Sequence, residues 1–109
     1  MFKGSKNAGD IGKNLKLIDF LKCELLNSVA LLFETMIKGV KSSQELVIEC
    51  LTNILLVTYV LGRRLGFDYA TLDRALEEKI KLGVLEEHHL ETWYGDLSDL
   101  KEHINNHRK

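Results

Sequence analysis

Apolar residues recur at three- and four-residue intervals over most of this chain, and two stretches carry the pattern furthest. Between Lys13 and Lys38, the residues Ile18, Leu21, Leu25, Val29, Leu32 and Met36 fall on one helical stripe, and Leu26, Ala30, Phe33 and Ile37 widen it. The polar line of that helix is Lys16, Asp19, Asn27, Glu34 and Lys38, and Gly39 is placed to stop it. The second stretch, Gln44 to Gly66, is the most apolar and the least interrupted. Its polar residues Glu45, Glu49 and Asn53 are spaced four apart and so stack over successive helical turns. Ser42 or Ser43 suits its N-cap, and Arg63 and Arg64 suit the negative end of its dipole. A helix that is apolar nearly all round, with one short polar stripe, belongs at the centre of its domain.

The remaining elements are shorter. Asp68 caps a helix from Tyr69 to Leu82, with Leu72, Ala75, Leu76 and Ile80 on one side. Asp73, Arg74, Glu77, Glu78, Lys79 and Lys81 lie mostly on the other, and Gly83 closes it. Val84 to Gly95 has no clear period, and its Trp93 and Tyr94 are expected to anchor it onto the bundle. Asp96 caps a last helix from Leu97 to about Asn105, with Leu97, Leu100 and Ile104 inward and a fraying end. The pattern predicts an all-α bundle of two long antiparallel helices plus two shorter helices. It predicts a flexible arm over 1–12 and a single helical domain over 13–109. The apolar faces of the long helices are wider than one partner requires, so the bundle is expected to be completed by oligomerisation, as a homodimer or a dimer of dimers.

Composition narrows the function more than the fold. The 109 residues include no proline and eight glycines, which favours helices over an all-β domain. Fifteen Lys and Arg against 16 Asp and Glu give a net charge of −1, so no basic field is available for a nucleic-acid polymer. Cys23 and Cys50 sit inside apolar helical patterns with no C-x-x-C pair, as free buried thiols of a cytoplasmic protein do. The first residues lack the apolar core of a signal peptide. Leu46 to Leu61 falls short of the about 20 apolar residues a membrane span needs and includes Glu49 and Asn53, so no membrane contact is expected.

Two constellations can carry chemistry. Glu45, Glu49 and Asn53 face Glu24, Asn27 and Ser28 on the preceding antiparallel helix, and carboxylates on facing helices are how bundles hold hard cations such as Mg²⁺. The metal candidates are thus Glu24, Glu45, Glu49 and Asn53. The plainer alternative is a solvated first helical turn with Asn53 as a hydrogen-bonded core residue. His103 and His107 are four apart but lie in a fraying tail with no third ligand, and His88 and His89 precede the Trp93 segment without a catalytic partner. No nucleophile–base set and no Gly-rich phosphate loop is present.

The stretch LTNILLVTYVLGRRLGFDYATLDRALEEKIKLG resembles the MazG-type all-α nucleotide pyrophosphohydrolases, and the ending HHLETWYGDLSDL resembles a compact MazG-like subgroup. The likeness covers roughly residues 15 to 104. It implies hydrolysis of nucleoside triphosphates to monophosphate and pyrophosphate, with Mg²⁺ held by E-E-x-x-E on the first long helix and E-x-x-D on the second. Aligning Lys38-Gly39 and Leu65-Gly66 with the family places the first motif at Asn27, Ser28 and Leu31 and the second at Cys50 and Asn53. None of these five is a carboxylate. The resemblance therefore implies a MazG-like fold with a degenerate metal site that binds a nucleotide or another phosphorylated small molecule, with Arg63, Arg64 and Lys79 as phosphate contacts. A displaced active site at Glu24, Glu45 and Glu49, and a helical interaction module with no small ligand, are the alternatives.

Overall fold

The computed structural model describes residues 8–38, 44–86 and 89–107. They form five helices and, among the described residues, no strand: α1 (Ala8–Lys38), α2 (Gln44–Arg64), α3 (Tyr69–Leu85), α4 (His89–Tyr94) and α5 (Asp96–His107). The all-α expectation holds. The expected helix stop at Gly39, the connection Val40–Ser43 with its serine caps, and His88 lie outside the described residues.

The chain separates into two compact units, 1–69 and 70–109. The first is the α1/α2 hairpin. Asn14 pairs with Arg64 and Ser28 with Asn53, so the two helices run antiparallel. Leu21 and Leu32 of α1 and Cys50 and Val57 of α2 supply its buried apolar residues. Thr35 is buried as well and donates its hydroxyl to the Leu31 carbonyl at 2.7 Å, which removes the cost of a polar group there. The end of α2 follows from Gly66, whose φ of 105° only glycine adopts readily. Phe67 N–H donates to the Gly62 carbonyl and Gly66 N–H to the Arg63 carbonyl, each at 3.0 Å, which is the Schellman closure.

α1 begins earlier than the sequence pattern indicates. Residues 8–12, expected in the arm, are helical, and 1–7 lie outside the described residues. Gly9 and Gly12 mask the start, yet Asp10 favours the first turn through the dipole, and Ile11 and Leu15 extend the apolar stripe backwards.

The second unit departs further from expectation. α3 runs through Gly83 to Leu85, with Glu86 N–H bonded to the Leu82 carbonyl at 2.9 Å. Gly83 is not among the glycines with positive φ, so it costs helix propensity without terminating the helix. Val84 to Gly95 contains α4, so three shorter helices follow the hairpin instead of two. Trp93 and Tyr94 do not anchor: they are 67% and 73% exposed, and Trp93 stacks on His89 at 5.0 Å, one turn back on its own helix. The expected cap of α5 is also different. Asp96 is already helical, and Glu91 of α4 takes the free amide of Ser98 at 2.8 Å and its hydroxyl at 2.6 Å. The Ser98 hydroxyl first and then its backbone N–H hold the Glu91 carboxyl below its ordinary value, against an upward push from burial that exceeds the small further lowering by the Leu97 amide.

Candidate functional site

The site sits midway along the α1/α2 hairpin. On α1, Ser28 and Leu31 are one turn apart. On α2, Leu46, Glu49, Cys50, Asn53 and Leu56 recur at three and four and so share a face. These residues, with Thr52, line a groove of about 350 Å³. Its polar centre is one bond across the hairpin, Asn53 Nδ2 donating to Ser28 Oγ at 2.5 Å. Ser28 is 8% exposed and Cys50 is 4% exposed, so both form the floor, while Glu49 and Thr52 reach the open side.

Of the five positions aligned with the family's metal motifs, Ser28, Leu31, Cys50 and Asn53 converge on this groove. Asn27 is exposed and is not among its lining residues. Register alone brings these four together, because two antiparallel helices anchored at their ends can meet only at complementary heights. The residues that sequence reasoning left out are Leu46, Thr52 and Leu56. Leu46 and Leu56 stand on the same helical face as Cys50 and Asn53, and that spacing is the signal that could have found them.

Among the described residues, Glu49 is the one carboxylate in the lining, and no Lys or Arg contributes. Glu24 is half-buried, Glu45 is exposed, and neither lines the groove. Among the described residues, no three His, Cys, Asp or Glu side chains gather as a metal ion would require. Mg²⁺ takes six near-octahedral oxygens, with carboxylates supplying the charge. A hydroxyl and an amide already bonded to each other, a thiol and a leucine do not fit that demand.

The basic candidates lie elsewhere. Arg64 Nη1 donates to Asn14 Oδ1 at 3.2 Å, while Asn14 Nδ2 donates to the Arg64 carbonyl at 3.0 Å. Arg63 stands 5.4 Å over the Tyr69 ring, which meets Tyr59 edge-on at 6.1 Å. Both arginines are thus held in local contacts, roughly 15 Å along the helix from Asn53. Lys79 is exposed and belongs to the second unit, where Lys81 rather than Lys79 borders a cavity. Of the two cysteines, Cys50 is buried and Cys23 is exposed. The His103 and His107 rings lie tilted by 40° with centroids 4.2 Å apart on an exposed face of α5, and His107 Nδ1 meets the His103 carbonyl at 3.0 Å.

An all-α chain built on a long antiparallel hairpin, with facing polar residues at the heights of two helix-borne motifs, has the organisation of the helical nucleotide pyrophosphohydrolase superfamily. The chain belongs to the MazG-like family, whose model matches residues 11–97. No curated protein and no solved structure matches it.

Proposed function

We propose that this chain is a MazG-like protein with a degenerate metal site, which binds a nucleotide or another phosphorylated small molecule in the α1/α2 groove without hydrolysing it. The observation that carries this reading is that four family motif positions line one groove while contributing no carboxylate to it. Neutral donors bind Mg²⁺ far more weakly than carboxylates, so the charge needed to hold metal beside a polyphosphate is missing. What remains is suited to recognition. Leu31, Leu46 and Leu56 offer an apolar bed, and Ser28, Thr52 and Asn53 offer hydrogen bonds to amide or hydroxyl groups. With no cation in the lining, the phosphate end of such a ligand points out of the groove.

A homo-oligomer is part of the proposal. Phe20, Phe33, Ile37, Ile48 and Leu55 of the hairpin are each more than half exposed, and Ile37 reaches 84%. α2 is apolar and long enough to cross a membrane by those criteria alone, yet only 11% of its most apolar window is buried. We assign that face to a second copy in the cytoplasm rather than to lipid, because Glu49 and Asn53 interrupt it. Light scattering at micromolar concentration is expected to give a dimer or tetramer; a monomer refutes this part.

Pyrophosphate release from a nucleotide panel, with Mg²⁺ or Mn²⁺, tests the central claim. No turnover is expected, together with a rise in melting temperature on adding nucleotide that Asn53→Leu removes. Turnover that Glu49→Gln abolishes would establish a displaced carboxylate site instead. Neither turnover nor stabilisation would leave a helical interaction module.

A further inference from the structure

The second unit holds a cavity of its own, about 350 Å³, between faces of α3 and α5. Its floor is apolar: Ile80, 4% exposed, comes from α3, and Ile104, half-buried, from α5. Its rim is cationic. Arg74 and Lys81 stand seven residues apart on α3, and so on one face, while Lys101 lies one turn before Ile104 on α5. Among the described residues neither lysine forms an ion pair, and Arg74 makes only a long 3.4 Å contact with the Thr71 hydroxyl. Glu77 and Glu78 share the lining and keep the excess of positive charge small. That balance argues against a polyanion and for a ligand bearing one anionic group.

We propose that this cavity binds a small organic anion, a phosphate or carboxylate group carried on an apolar body. The body rests on Ile80 and Ile104, and the anionic group is met from opposite helices by Lys81 and Lys101, with Arg74 on the same rim. An apolar floor ringed by convergent charged groups is the usual make-up of a small-ligand site, and the volume suits a ligand of that size. With three cations against two carboxylates in the lining, the small positive excess makes an anion the electrostatically favoured guest. The family match ends at residue 97, so Lys101 and Ile104 lie outside it and the cavity is not part of the groove on the hairpin.

The test uses the full chain, ¹⁵N-labelled, titrated separately with phenyl phosphate, benzoate and inorganic phosphate. Phenyl phosphate or benzoate is expected to shift the amides of Ile80, Lys81 and Ile104, and the tighter of the two identifies the anionic group. Inorganic phosphate, lacking the apolar body, is expected to bind more weakly than phenyl phosphate. Lys81→Ala and Lys101→Ala should each weaken binding by about threefold and the pair together by about tenfold, with weaker binding also at 0.5 M salt. Both lysines are exposed, so the variants keep the fold, which their far-UV spectra check. The proposal is overturned if neither organic anion shifts these amides at 10 mM, or if both lysine variants bind as the parent does. It is also overturned if the shifts fall around Ser28 and Asn53, a result that would leave the hairpin groove standing.

Discussion

Two asparagines tie the same hairpin together, and they do different things. Asn14 on α1 is 8% exposed and makes a two-way pair with Arg64, giving an N–H to its carbonyl and accepting one from its guanidinium. Asn53 on α2 makes one bond, to the Ser28 hydroxyl, and stands beside an open groove. At the first, both the amide nitrogen and the amide oxygen are engaged by the last turn of α2, so the contact locks the end of the hairpin. At the second, the amide keeps unused hydrogen-bonding capacity next to a void. A polar residue in an apolar helix is structural when its surroundings saturate it and is available for recognition when they do not.

The largest expected effect tests the saturated side. Asn14→Leu removes two hydrogen bonds, one of them charge-assisted, and strands the Arg64 carbonyl and guanidinium. A loss of about 1–3 kcal/mol in urea unfolding is expected. Adding Arg64→Met should restore only part of it, because the backbone carbonyl stays without its donor. A single variant as stable as the parent would remove the distinction between the two asparagines.

The groove side should cost less. Ser28→Ala leaves the Asn53 amide facing a space that water can enter, so about 0.5–1 kcal/mol is expected by the same measurement. The double variant Ser28→Ala/Asn53→Leu replaces both partners by apolar groups and should return close to parental stability while losing nucleotide-induced stabilisation. Conversely, Ser28→Glu, Cys50→Glu and Asn53→Asp together put carboxylates back at three motif positions. That variant is expected to show a Mn²⁺-dependent rise in melting temperature larger than the parent's. Failure of all three to recruit metal would mean that the groove is not at the height of the family's metal site.

The hairpin was legible in the sequence to a degree the second unit was not, for physical reasons. α2 could be read to its end because Gly66 supplies a local signal, the positive φ of a Schellman closure. Ser28 and Asn53 could be brought together because two long helices have only one register once their ends are set. α4 has six residues, too few to show a period, and its Trp93 and Tyr94 look like core residues in any composition count. The cap of α5 comes from Glu91, seven residues before Ser98, beyond the three-residue spacing of a capping box. Arg74, Glu77, Glu78 and Lys81 read as a solvated face because the helix opposite them, α5, contributes its half of the cavity from a distant stretch of chain.

That Glu91 cap is a third kind of polar contact, neither saturated in a core nor beside a void, and it carries the smallest expected effect. The Ser98 hydroxyl is the main cause holding the Glu91 carboxyl below its ordinary 4.5. A carboxyl with a depressed folded value stabilises the fold above 4.5 and loses that contribution as pH falls through the lower, folded value. An NMR titration of the Glu91 side chain should therefore show a midpoint under 4.5, and Ser98→Ala should move it upward, leaving the share due to the backbone amides. Helicity at pH 3 should fall relative to pH 6 in the parent, and by less in Glu91→Gln, whose side chain no longer titrates. Because the pair is solvent-exposed, salt and water compete for it and the stability at neutral pH should barely change in either variant. An unmoved midpoint in Ser98→Ala would mean that the helix terminus alone sets the shift. The cap would then be electrostatic rather than a specific bond to this serine.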